Sequence, residues 1–143
     1  GYGLPAAIGA QLGKPETAVV LVTGDGSFQM NMPELATLVQ EQLPVKIIVL
    51  NNNALGMVRE LQMHFHDSRY YQVHMRGNPD FVKLADAYGI PAQRVSEKTA
   101  VRKILQTMMG TPGPMLIEFI VDVEENVVPP TRKSLHPFEG EIV

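Results

Sequence analysis

Asp25 stands between Gly24 and Gly26, is followed by Ser27, and comes directly after an apolar, β-branched run over residues 18–23. A second such run, residues 45–50, ends in Asn51, Asn52 and Asn53. One carboxylate and a cluster of side-chain amides are hard oxygen ligands. Mg²⁺ takes few protein ligands of this kind and completes its octahedron with phosphate oxygens and water. Glycines beside the carboxylate let the backbone come close to a ligand, and successive N–H groups entering a helix can hold phosphate oxygens. The chemistry on offer is a metal-bridged diphosphate site. A lone Gly-Asp-Gly often marks only a turn, so the weight rests on the pair and on what joins it.

The joining element is a helical segment, residues 33–40, with Leu35, Leu38 and Val39 expected on one face. Strand, helix and strand make a β–α–β unit, whose strands are parallel. Asp25 and the asparagines then lie side by side at the sheet edge where α/β proteins bind ligands. Both runs are continuously apolar, so each reads as a strand buried on both faces. Upstream, residues 5–12 suit a Gly/Ala-rich helix with Pro5 in its first turn. Downstream, residues 55–65 read as a helix with Met57, Leu61, His64 and Phe65 on one face, an apolar wall partly open over the site. His64 and His66 diverge on a helix, which argues against a metal pair.

Residues 67–78 are polar and aromatic and read as a lid or a long connection. Asn78, Pro79 and Asp80 look like the start of a helix over residues 81–88, with Gly89 as its C-terminal cap. Residues 92–95 suit a short strand. Ser96 is expected to cap a helix that runs to about Met109, and residues 115–121 are the last strong strand. The expected fold class is α/β, a parallel sheet with helices on both faces. Residues 1–125 form the domain, and residues 126–143, irregular around Pro129 and Pro130, an extended C-terminal arm.

The 143 residues suffice for one domain with a proper core. A net charge of −3 argues against a nucleic-acid surface. No apolar run approaches the roughly 20 residues of a membrane span. Without cysteine there is neither a disulfide framework nor a thiolate nucleophile. These features fit a cytosolic protein, and the expected localisation is cytoplasmic, in a bacterium. The chain opens on Gly1-Tyr2-Gly3 without an initiator Met, as a piece of something longer would, so an organellar targeting segment stays open. A dinucleotide fingerprint is disfavoured, because Gln29 fills the place of its third glycine.

Gly24-Asp25-Gly26 followed by Asn51-Asn52 resembles the thiamine diphosphate motif of pyruvate decarboxylase, transketolase and acetolactate synthase. Residues 3–10, the Leu55-Gly56-Met57-Val58-Arg59 stretch and Val128-Pro129-Pro130 look like the acetolactate synthase (acetohydroxyacid synthase) large subunit, in its C-terminal thiamine diphosphate-binding domain. The resemblance implies Mg²⁺ on Asp25, the side chain of Asn52 and the main-chain carbonyl of Ala54. It implies diphosphate on the backbone N–H groups of Gly26 and Ser27. Gly24, Met30, Leu55, Gly56 and Met57 would line the cofactor, and Met57 and Leu61 the substrate channel. Leu61 stands where many members carry Trp, which puts 2-oxobutyrate preference and herbicide sensitivity in question.

The implied reaction condenses pyruvate with a second 2-oxo acid, with loss of CO₂, to give 2-acetolactate or 2-aceto-2-hydroxybutyrate, the first common step of branched-chain amino acid biosynthesis. The implied setting is a homo-oligomer, dimer or tetramer, with the site between subunits. A regulatory small subunit and FAD belong to the same picture, the FAD outside this chain. The family's activating glutamate belongs to an N-terminal domain, so no catalytic residue is expected here and the chain alone is expected to be inactive. Two other readings are a related carboligase or decarboxylase, of the glyoxylate carboligase or sulfoacetaldehyde acetyltransferase type, and a non-catalytic binding module of the same fold.

Overall fold

The computed structural model describes residues 1–125, so the expected arm over residues 126–143 lies outside the described residues. Four strands form one sheet: β1 (Val20–Gly24), β2 (Lys46–Asn51), β3 (Ala92–Val95) and β4 (Met115–Ile120). Their order is β1-β2-β4-β3, and all neighbours are parallel. The helices are α1 (Gly3–Gly13), α2 (Asp25–Met30), α3 (Leu35–Gln40), α4 (Gly56–Phe65), α5 (Phe81–Ala87) and α6 (Val101–Gly110). Single 3₁₀ turns, Met32–Glu34 and Lys98–Ala100, lead into α3 and α6.

Side chains alternate along the strands, and each face packs differently. Leu21, Ile47, Val49 and Leu116 join Leu4, Phe28, Leu35, Leu38 and Phe81 in the main core. Phe28 and Phe81 meet edge to face at 5.5 Å. On the opposite face Met115 and Ile117 pack with Val95, Ile104 and Met108, so α6 covers the β3–β4 side.

The expectation that the β1 run is buried on both faces does not hold. Val22 is 59% exposed and Val20 is also exposed. β1 is the edge strand, and α6 packs at the far side of the sheet, so the face carrying Val22 and Leu50 stays open among the described residues. Val39 also departs from expectation, being exposed while Leu35 and Leu38 are wholly buried. Leu35, Leu38 and Val39 all lie within α3, and Val39 stands about 100° round the helix from Leu38, at the rim of the stripe that faces the core. Ser96 makes no cap: Glu97 precedes the 3₁₀ turn and Ala100 precedes α6, neither with a side-chain bond to the helix.

Candidate functional site

β1 and β2 run side by side with Gly24 opposite Leu50, so Asp25 and Asn51 emerge at adjacent C-terminal strand ends. α2 begins at Asp25 itself, with no intervening loop. The carboxylate is therefore carried into the sheet edge on the first turn of a helix and is only 1% exposed. Burial pushes its pKa above the ordinary value of 3.8. Hydrogen bonds from Asn78 and from the backbone N–H groups of Gly26, Asp25 and Asn53 pull the other way.

Beyond β2 the chain turns on asparagine side chains. Asn51 Oδ1 accepts from the Asn53 N–H at 2.9 Å, and Asn52 Oδ1 from the Ala54 N–H at 3.0 Å. Asn53 has φ 54°, the left-handed region that asparagine tolerates better than most residues. Part of the stretch read as lid or connection is tied to this turn. Leu55 N–H donates to Val73 O and Met75 N–H to Asn53 O, both at 2.8 Å, and Ala54 pairs with His74 as an antiparallel bridge. Val73 is wholly buried.

A cavity of about 510 Å³ opens over these strand ends. Residues 24–27, Met30, Asn52 and residues 54–57 line it, ten of the eleven residues singled out from the sequence. Leu61 is half exposed and is not in that lining; it lies one turn beyond Met57 on α4. Met57 is 78% exposed, so the apolar wall is open as expected. The buried residue of α4 is Arg59, paired with the Glu124 carboxylate and stacked 4.5 Å from the Tyr70 ring centre. That anchorage holds α4 by its opposite side and leaves Met57 and Leu61 outward. His64 stands 4.0 Å from Glu60, one turn back on the same helix.

The oxygens at the strand ends fit a hard divalent cation. They comprise one buried carboxylate and several amide carbonyls. Among the described residues no group of three or more His, Cys, Asp or Glu could hold a metal ion. Mg²⁺ shared with phosphate oxygens needs only one or two carboxylates.

The sequence reading missed a second layer. Asn78 Nδ2 donates to Asp25 Oδ2 at 2.7 Å and lies 3.2 Å from Asn53 Oδ1 and 3.4 Å from Asn51 Oδ1. Asn51 Nδ2 donates to Glu118 Oε1 at 2.7 Å, and Arg94 Nε to Glu118 Oε2 at 2.7 Å. The signal for Glu118 was present: a lone carboxylate inside an apolar strand requires a buried partner. Asn78 carried no such signal, since Asn-Pro-Asp reads equally well as a helix start.

The family model of the thiamine pyrophosphate enzyme, C-terminal TPP binding domain, matches residues 1–119. The chain is 47% identical over 129 residues to acetolactate synthase isozyme 2 large subunit of Escherichia coli, covering 90% of this chain and 24% of that protein. It is 47% identical over 140 residues to the mitochondrial acetolactate synthase catalytic subunit of Aspergillus candidus, covering 96% and 20%. Among solved structures it is similar to a thiamine diphosphate-dependent 4-hydroxybenzoylformate decarboxylase from Rhodococcus jostii. There the TM-score is 0.77 and the identity 32%, over 84% of this chain and 23% of the other. The chain thus spans about a fifth to a quarter of the length of the curated relatives it matches.

Proposed function

Since the chain belongs to the thiamine pyrophosphate enzymes, as their C-terminal TPP-binding domain, we propose that it is the Mg²⁺- and diphosphate-binding domain of an acetolactate synthase large subunit. The observation that carries this reading is the placement of Asp25 and the asparagine turn at adjacent parallel strand ends over one cavity. In this reading Asp25, Asn52 and the Ala54 carbonyl hold Mg²⁺, and Gly26 and Ser27 offer N–H groups to the diphosphate. Leu55, Gly56, Met30 and Met57 bound the cofactor's apolar side. When bound, thiamine diphosphate supplies a carbon nucleophile for 2-oxo acids.

The chain's own contribution is to bind and orient. Burial of Asp25 leaves a carboxylate poorly solvated, which a cation relieves. The exposed Met57 side chain and the half-exposed Leu61 offer apolar surface to a small 2-oxo acid and exclude water from it. Pyruvate and a second 2-oxo acid are the proposed substrates. A homo-oligomer with the site between subunits, a regulatory subunit and an FAD site outside this chain are part of the same proposal.

Calorimetric titration of the full-length protein with thiamine diphosphate, with and without Mg²⁺, tests it. Binding should require Mg²⁺ and be lost in Asp25→Ala, and acetolactate should form from pyruvate. Metal-independent binding unaffected by Asp25→Ala overturns the site. A preference for glyoxylate over pyruvate favours a related carboligase. The 143-residue chain by itself should form no acetolactate.

A further inference from the structure

Asn78 meets two chain segments that are distant from it in sequence, the short helix α2 and the asparagine turn at the end of β2. Its Nδ2 donates to Asp25 Oδ2 at 2.7 Å, after β1. The same amide nitrogen lies near the side-chain oxygens of Asn51, the last residue of β2, and of Asn53 just beyond it. Its own oxygen accepts from Gln29 Nε2 at 3.4 Å, on α2. The amide is thus oriented by a donor on one side and a carboxylate on the other.

Asn78 is also held from behind. Pro79 restricts the backbone between it and Asp80. Asp80 Oδ1 caps α5 through the Val82 and Lys83 N–H groups and accepts from Arg94 Nη2 at 3.0 Å. Arg94 binds Glu118, Glu118 binds Asn51, and Asn51 returns to the Asn78 amide. The ring closes on itself through β2, β4, β3 and the start of α5. A side chain fixed this way keeps its place whether or not a ligand is present.

Resting on the cation reading above, we infer that Asn78 is a positioning residue for Asp25. It holds one carboxylate oxygen by an N–H donor and so sets the direction in which Asp25 offers its remaining lone pairs to Mg²⁺. Partners of metal-ligating carboxylates commonly act this way, and their loss costs roughly 10- to 100-fold in metal affinity.

The test uses the full-length protein with excess thiamine diphosphate and Mn²⁺ as a paramagnetic probe, free ion being counted by electron paramagnetic resonance. Parent, Asp25→Ala, Asn78→Ala and Asn78→Leu are compared, and Leu keeps the volume while removing the donor. Both Asn78 variants should bind Mn²⁺ about 10- to 100-fold more weakly. At saturating metal, their thiamine diphosphate affinity should return to the parent value. A merely structural role would not be rescued by metal.

If Asp25→Ala binds Mn²⁺ like the parent, the cation reading itself fails. If Asp25→Ala loses the ion but the Asn78 variants bind within twofold of the parent, the positioning role alone is overturned. Tighter binding in either Asn78 variant also overturns it, making the amide a competitor for the cation position. Failure of both variants to fold, judged by circular dichroism and thermal unfolding, would make Asn78 a fold residue and overturn it too.

Discussion

Asn51 donates from Nδ2 to Glu118 Oε1 across 2.7 Å, with both side chains buried where the ends of β2 and β4 lie side by side. Glu118 is 1% exposed, and Arg94 on β3 occupies its other oxygen. A buried carboxylate is tolerated only when both oxygens are satisfied. Arg94 stands opposite Glu118 in the strand register, so the ion pair is a cross-strand pair with one half-exposed partner.

Removing that partner leaves the charge on Glu118 without compensation. Arg94→Met should therefore cost about 3 kcal/mol in urea unfolding, the lower end for breaking a buried pair, because water reaches the Arg94 side. Adding Glu118→Gln to Arg94→Met should recover part of that loss, since a neutral amide carries a smaller desolvation cost. A double variant that is the sum of the two single variants would mean that the pair has no coupling.

Asp80 gives the fold an acid limb. Its carboxyl is held below the ordinary value of 3.8, first by the Lys83 N–H; burial, the next largest influence, opposes this, and the charges of Arg94 and Lys83 and the Val82 N–H add to the lowering. A depressed folded value means that the ionised form is favoured by folding. The stabilisation is complete above the unfolded value near 3.8 and fades as pH falls through the lower folded value. Asp80→Asn keeps a capping oxygen but no charge. The parent should melt higher than this variant at neutral pH, and the gap should close below the ordinary carboxylate value. A gap independent of pH would exclude the charge as its source.

Gln62 on α4 clasps the stretch that follows it. Its Oε1 accepts from the Tyr71 N–H at 2.9 Å, and its Nε2 donates to Tyr71 O at 3.1 Å. Asp67, Ser68 and Gln72 all have φ between 51° and 56°, a costly region for residues with a Cβ. Two exposed hydrogen bonds contribute about 1–2 kcal/mol together. Gln62→Ala should therefore speed amide exchange at Tyr71 by roughly tenfold or more, with β2 unchanged. Equal protection in the variant would show that Tyr70 stacked on Arg59 suffices to hold the segment.

Much of this architecture could be read from local pattern, and the exceptions share a cause. The runs before Asp25 and Asn51 are strands because their side chains are apolar and β-branched, and the helix between them makes the strands adjacent. Ten of eleven candidate residues consequently fall on one cavity. The exposure of Val22 was not legible, because strand order depends on where β3 and β4 return, and no local period encodes that. Val39 was misplaced because it lies at the rim of the α3 stripe, about 100° from Leu38, and the width of the face that neighbouring elements cover is not a local property. Asn78 was hidden because its helix-start surroundings explain it fully until distant strands are folded around it. Leu61 shares a helix face with Met57, yet α4 carries it beyond the cavity lining.

Gly26 separates packing from ligand binding. A Cβ there would meet Leu55 Cδ2 at 2.7 Å and Met75 Sδ at 3.0 Å, both ends of flexible side chains. Neither is backbone, so Gly26→Ala should fold, at an overpacking cost of roughly 1–3 kcal/mol. Relief requires Leu55 or Met75 to swing aside. Leu55 already lines the cavity beside Gly26, whereas Met75 is tied through its N–H to Asn53 O. The displaced Leu55 would intrude on the proposed cofactor surface. Thiamine diphosphate affinity should fall by about fivefold or more, equivalent to the low end of that overpacking range. Mn²⁺ should bind less well only in proportion to the lost cofactor, because Asp25 and Asn78 are untouched. Leu55→Ala added to Gly26→Ala should restore affinity by making room. If the double variant binds no better than Gly26→Ala alone, the clash with Leu55 is not what limits the site.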